Sequence, residues 1–250
     1  MNQQKSHYIA VFSKPMNPKL RLFCFPYAGA AAQVFKSWQD LLPESVQLCA
    51  IRLPGRGARF TEKPLTSLDS VLEGILRDIR PYLNMPFAFY GHSLGSMVSF
   101  ELCRLLQVEG YRARCLIVSG RNAPHLPRSK PPIHGQPDEE FRKSLREFNG
   151  TPQVILDNEE LMELMLPMIR ADFTLAETYE LRPGPKVVCP LISLGGEKDS
   201  HVNDEGVKAW GEHGVGGFDW KMLPGDHFFI DHSKELLLRY ISEYLLKYGA

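Results

Sequence analysis

Gly91-His92-Ser93-Leu94-Gly95 sets a serine between two glycines in a G-x-S-x-G pattern. The apolar run PFAFY precedes it and SMVSFELCRLLQ follows it. That context predicts a strand, a sharp turn and a helix, with the Ser93 hydroxyl exposed at the tip of the turn. The glycines remove Cβ atoms where strand and helix approach closely. A hydroxyl so placed is suited to nucleophilic attack on a carbonyl. The first N–H groups of the following helix have no partner within the helix. The N–H of Leu94 is thus aimed at an oxyanion as it forms, and one such donor is worth about 3 kcal/mol. His92 adjoins Ser93, but the turn sends the two side chains in different directions. It is assigned to packing or hydrogen bonding around the turn.

A serine hydroxyl needs a base within hydrogen-bond reach. In hydrolases with this turn, an acid and then a histidine follow the serine, each after a later strand. His227, in LPGDHFF just beyond an apolar run ending at Leu223, is the candidate base. The acid candidates are Asp199, Glu197 and Asp226. Asp199 is preferred, because Gly195-Gly196-Glu197-Lys198-Asp199 follows an apolar strand and can turn a carboxylate back toward the imidazole. Asp226 is the immediate neighbour of His227 and is expected to point elsewhere. The second oxyanion donor is expected from Phe25-Pro26-Tyr27-Ala28-Gly29-Ala30. Pro26 has no N–H, which leaves Tyr27 and Ala28.

Other chemistries find little support. The histidines form no HxxxH, the five cysteines form no CxxC, and neither GxxxxGK[ST] nor GxGxxG occurs, so no metal or nucleotide cofactor is expected. Lys plus Arg is 29 and Asp plus Glu is 29. No basic surplus exists to neutralise a nucleic-acid backbone. Widely spaced cysteines inside apolar runs read as buried thiols in a reducing compartment. The N-terminal segment lacks the long apolar stretch of a secretory signal. Residues 81 to 100 carry no formal charge, but their prolines and glycines do not suit a lipid-facing span. The expectation is a cytoplasmic protein that binds neither membrane nor nucleic acid.

The elements that must position these residues follow from the pattern. Short runs at 20–25, 46–51, 86–90, 114–118, 187–194 and 217–223 are rich in branched or aromatic residues and stop at Gly or Pro, as strands do. Helical spacing covers 67–80, 95–109 and 233–247, and more weakly 203–211. Thr66 and Asp69 predict a capping box for the first of these. Strands alternating with helices imply a mostly parallel sheet covered on both faces, the α/β-hydrolase arrangement.

Residues 125 to 183 interrupt the alternation. They contain no convincing strand, begin Pro-rich, and show helical spacing around 138–148, 157–165 and 167–180. The stretch is too long for a simple connection. It reads as a helical lid or cap inserted into a core formed by 1–124 and 184–250. Met162, Met165 and Met168 are candidates for an adaptable apolar lining there.

With these residues identified, the chain resembles the standalone (type II) thioesterases of nonribosomal peptide and polyketide synthesis. The likeness rests on Leu22-Phe23-Cys24-Phe25-Pro26-Tyr27-Ala28-Gly29-Ala30, Arg52-Leu53-Pro54-Gly55-Arg56-Gly57 and the Ser93 turn. It continues through Phe148-Asn149-Gly150-Thr151-Pro152 and Leu166-Pro167-Met168-Ile169-Arg170-Ala171-Asp172-Phe173. The Asp199 and His227 loops complete it. It spans roughly residues 18 to 246. Asn149 and Ala30 stand where glycine is common in the family. The resemblance implies hydrolysis of acyl or aminoacyl thioesters carried on the phosphopantetheine arm of acyl or peptidyl carrier proteins. It also implies a monomeric enzyme that edits or releases stalled intermediates. The triad alone leaves two rivals: a general carboxylesterase, and a non-enzymatic accessory partner that keeps the fold.

Overall fold

The computed structural model describes residues 7–148 and 156–249. Within them the strands are β1 (Ile9–Val11), β2 (Leu20–Phe25), β3 (Val46–Ile51), β4 (Phe87–His92), β5 (Leu116–Ser119), β6 (Leu191–Gly196) and β7 (Phe218–Leu223). The helices are α1 (Leu68–Ile79), α2 (Leu94–Val108), α3 (Asp138–Phe148), α4 (Glu159–Glu177), α5 (Asp204–Lys208), α6 (Phe229–His232) and α7 (Lys234–Gly249). The strands lie in the order β1-β3-β2-β4-β5-β6-β7. β1 pairs antiparallel with β3, and every other pairing is parallel.

Continuous apolar runs become strands here because both faces of a parallel sheet are buried. Alternation then divides each run between two cores. Phe23, Phe25 and Phe89 face α1 and α2, and make edge-to-face contacts with one another. Leu22, Cys24, Ala88 and Tyr90 face the other way, onto Phe35, Trp38 and the Leu237, Leu238 and Ile241 stripe of α7. All five cysteines are buried and unpaired. Among the described residues, no helix is long and apolar enough to cross a membrane.

The strand order reverses at β2. From β2 the chain moves one way to β3, and from β4 it moves the other way to β5. Divergent connections leave a crevice beyond the carboxyl ends of such strands. The loop after β2 and the turn after β4 both open there.

Between β5 and β6 lie α3 and α4 with a small core of their own, including Ile133, Phe141, Leu145, Met162 and Leu166. Two residues of α4 hold the incoming loop. Arg170 donates to the carbonyls of His134 and Gln136, and Glu177 accepts from the N–H groups of Ile133 and His134.

Several expectations are corrected. Thr66 and Asp69 form no capping box: Ser67 is the N-cap of α1, without a side-chain hydrogen bond. The Asp69 carboxylate pairs with Arg182 instead. The two helical patterns at 157–165 and 167–180 are one helix, α4, which carries Pro167 within it. The strand expected from 187 begins at Leu191, since Pro190 has no N–H for a ladder and Val187 makes only an isolated bridge to Gly214. The weak helix at 203–211 is the short α5 followed by a tighter turn. Met162 and Met168 are buried in the insertion's own core and do not line the central cavity. A further 3₁₀ segment, Ala32–Asp40, went unpredicted. Its buried Ala32, Phe35 and Trp38 recur every third residue, the 3₁₀ spacing.

Candidate active site

Ser93 is the N-cap of α2, with φ 53° and ψ −111°. It is the one non-glycine with positive φ among the described residues. Such backbone costs about 1–3 kcal/mol and persists only where its surroundings enforce it. They do so here through both glycines of the pentapeptide. A Cβ on Gly91 would lie 2.2 Å from the carbonyl oxygen of Gly95, and one on Gly95 would lie 2.1 Å from that of Phe25. The Ser93 N–H is fixed by the carbonyl of Ser119, at 2.8 Å.

The three side chains expected to act together are brought together. His227 Nε2 lies 3.0 Å from Ser93 Oγ, and His227 Nδ1 lies 2.7 Å from Asp199 Oδ2. The Asp199 side chain has no exposed surface, while that of His227 keeps 12%. Asp199 Oδ1 accepts from the N–H groups of His201 and Val202 at 2.8 and 3.2 Å. Burial acts to raise the Asp199 pKa, but the hydrogen bond and charge of His227 and the His201 N–H outweigh it. The carboxyl is held below its usual range and remains a carboxylate. Nδ1 of His227 must then carry the proton, which leaves Nε2 as an acceptor facing Ser93. The other acid candidates fall outside this line. Glu197 is exposed, and Asp226 Oδ1 accepts from the Phe228 N–H at 2.9 Å.

The loop after β2 passes beside Ser93. The Gly29 N–H donates to Asp172 Oδ2 at 2.7 Å, and the Ala30 N–H to the Tyr27 carbonyl at 3.1 Å. The N–H groups of Tyr27 and Ala28 meet no acceptor among the described residues. Both residues line the cavity above Ser93. The Tyr27 ring packs edge-on against His92 and Phe228.

His92 packs and hydrogen-bonds around the turn as expected, but two arrangements were not legible. The first is the buried hydrogen-bonded chain that it forms behind His227. His92 is fully buried, and burial, with the nearby charge of His227, pushes its pKa down to about 3. It is therefore neutral at ordinary pH. Its Nε2 lies 2.9 Å from the His227 carbonyl, which can only accept, so Nε2 donates. Nδ1 accepts from Ser119 Oγ at 2.7 Å, and Ser119 Oγ accepts from the Tyr90 hydroxyl at 3.0 Å. Every proton in the chain Tyr90–Ser119–His92–His227 has one direction. The second is Asp172 on α4, which clasps the Arg56 guanidinium with both oxygens while accepting from Gly29. The Arg56 and Asp172 motifs were both legible, but their contact was not.

The cavity over Ser93 has a volume of about 210 Å³. Leu145, Phe148, Ile169 and Phe173 of the insertion form its apolar wall, and Arg121 and Glu177 are among its charged lining. Phe148 stacks on His201 with ring centroids 4.2 Å apart, joining α3 to the loop that carries Asp199. Asn149-Gly150-Thr151-Pro152, which follow Phe148 in its motif, lie outside the described residues. Among the described residues, no cluster of three or more His, Cys, Asp or Glu could hold a metal ion.

A mostly parallel sheet, a serine at the turn after a central strand, and a helical insertion over it define an α/β-hydrolase with a lid. The thioesterase-domain family model matches residues 20–244, and the chain belongs to that family. It is 41% identical over 228 residues to the gramicidin S biosynthesis protein GrsT of Aneurinibacillus migulanus, covering 91% of this chain and 89% of that protein. It is 34% identical to the thioesterase PikA5 of Streptomyces venezuelae, covering 98% and 88%. The structure of the type II thioesterase BorB from the borrelidin biosynthetic cluster superposes with a TM-score of 0.88 at 34% identity, covering 95% and 97%. The chain is a serine thioesterase of type II, which releases and edits stalled intermediates of nonribosomal peptide and polyketide synthesis through an acyl-serine.

Proposed function

We propose that Ser93 is the nucleophile, His227 the base and Asp199 the group that orients it. The substrates we assign are acyl or aminoacyl groups held as thioesters on the phosphopantetheine arm of carrier-protein domains. The observation that carries this reading is the hydrogen-bonded line Asp199–His227–Ser93 ending on the floor of a cavity.

The chemistry runs in two halves. His227 Nε2 takes the Ser93 proton as Oγ attacks the thioester carbonyl. The N–H of Leu94 and that of Tyr27 or Ala28 stabilise the oxyanion. The C–S bond breaks, the pantetheine thiolate leaves with the proton from His227, and the acyl group remains as an ester on Ser93. Water then gives a proton to His227, attacks the ester and releases the acid, and Ser93 recovers its proton. Residues 125–183 act as the lid and acyl wall on a core of 1–124 and 184–250. We assign the enzyme as a cytoplasmic monomer that needs no cofactor and binds neither membrane nor nucleic acid.

The test is intact-mass measurement of acyl-loaded carrier proteins with and without the enzyme, beside simple esters. Loss of the acyl mass, absent with Ser93→Ala, supports the reading. Equal or faster turnover of simple esters favours a general esterase and defeats the carrier-linked assignment.

A further inference from the structure

Arg121 follows β5, the strand beside the one that ends at Ser93, and lines the same cavity. Its side chain lies against the insertion. Nη2 donates to the Ala176 carbonyl at 3.1 Å, and the guanidinium sits 5.8 Å from the centre of the Tyr179 ring. Among the described residues, no carboxylate pairs with it. A guanidinium has five N–H donors, and here the protein uses one.

The residue is partly buried at the cavity wall. Desolvation pushes its pKa down to about 10, with Tyr179 acting in the opposite direction and Arg128 in the same one. It remains a cation at neutral pH, and one carbonyl in the last turn of α4 satisfies only part of its donor set. The cavity's own carboxylate cannot serve as the partner. Glu177 is engaged by the N–H groups of Ile133 and His134 and by His134 Nδ1, the last at 2.7 Å.

We infer that Arg121 forms an acyl subsite that selects thioesters whose acyl group ends in a carboxylate over neutral acyl groups of the same length. This inference rests on the function proposed above. The guanidinium fork matches a carboxylate with two parallel hydrogen bonds. It follows β5, the neighbour of the strand that leads into Ser93, and it lines the cavity that the acyl group enters in the proposed reaction. The donors that the fold leaves open are those an incoming carboxylate fills.

The experiment compares succinyl and butyryl thioesters of N-acetylcysteamine, which share a four-carbon acyl chain and lack the phosphate of pantetheine. The enzyme is used as wild type, Arg121→Gln and Arg121→Lys. Wild type is expected to prefer the succinyl thioester. Arg121→Gln is expected to lower the succinyl-to-butyryl ratio of kcat/KM by about 10–100-fold, the worth of a charge-assisted pair. Arg121→Lys, which keeps the charge without the fork, is expected to fall between. Equal losses on both substrates would assign Arg121 to the α4 cap alone and overturn the subsite. So would an absence of preference in wild type, or an effect seen only with phosphate-bearing pantetheine thioesters. Where wild type turns over neither N-acetylcysteamine thioester, succinyl- and butyryl-loaded carrier proteins replace them and the same ratio decides the subsite; acyl mass retained on every carrier would strike the proposed function itself. Butyryl turnover without discrimination would remove only the subsite.

Discussion

Asp172 and Arg56, 116 positions apart in sequence, form a buried two-pronged ion pair that joins the lid helix to the loop after β3. The same Asp172 carboxylate accepts from Gly29, next to the two residues proposed to supply the second oxyanion donor. The insertion therefore does more than cover the cavity. Through Asp172 it fixes the peptide that follows Ala28.

Removing one partner should be severe. Asp172→Ala leaves a buried guanidinium and the Gly29 N–H without an acceptor, and should cost about 3–5 kcal/mol in urea unfolding. An Arg56→Met, Asp172→Leu double variant replaces the pair with apolar groups, and should recover much of that stability. Its kcat should stay low, because Gly29 still lacks its acceptor and the loop loses its anchor. If the double variant regained full kcat with its stability, Asp172 would have no positioning role.

Asp199 and Glu197 are two residues apart, yet only Asp199 meets His227. Asp199→Asn should lower kcat by about 10³–10⁴-fold, with the His227 tautomer reversed, as in the serine-protease case where this substitution has been followed. Glu197→Gln should stay within a factor of about two, as expected for an exposed side chain. Stopped assays on a single acyl thioester at one pH would read both. A large loss in Glu197→Gln alone would reassign the acid.

Ser93 carries backbone strain that its hydroxyl does not explain. Alanine at that position keeps the strain, whereas glycine relieves it. Both variants should lose turnover, but Ser93→Gly should unfold at higher denaturant than Ser93→Ala, by about 1 kcal/mol. Denaturant midpoints with matched slopes would decide it. Equal midpoints would mean that the turn bears no strain.

The proposed Ser93 and His227 were legible because PFAFY and GFDWKML are runs stopped by Gly or Pro just before them, as LRLFCF is before Tyr27 and Ala28. Asp199 follows a run whose start was less clear. The strand at 187 was misplaced because hydropathy does not register a missing N–H, and Pro190 delays pairing to Leu191. Asp69 matched a capping box locally, but Arg182 claimed its carboxylate from 113 residues away. Asp172, Arg56 and His92 were visible as motif residues, yet their roles depend on who meets whom across the fold. A single sequence carries no such pairing. Arg121 lies two residues beyond β5 in the tripeptide Ser-Gly-Arg, and nothing in that tripeptide shows that no carboxylate among the described residues pairs with it.

His92 gives the fold an acid-sensitive element. Its ordinary pKa is 6.5, and burial with the charge of His227 lowers it to about 3 in the folded protein. Between those values the unfolded chain binds the extra proton and the folded one does not. Stability must then rise with pH across that window. The contribution is fully present above about pH 6.5 and is lost as pH falls toward 3. His201 and His213, both lowered to about 4, act in the same direction. Replacing His92 with Gln, which keeps one donor for the His227 carbonyl, should lower the melting temperature at pH 7.5 and flatten its decline between pH 6.5 and 4. Thermal unfolding of wild type and variant across that range is the measurement. Parallel curves would mean that His92 takes up a proton while the protein is still folded. The directed chain from Tyr90 to the His227 carbonyl would then be wrong, because a doubly protonated ring has no lone pair to accept from Ser119.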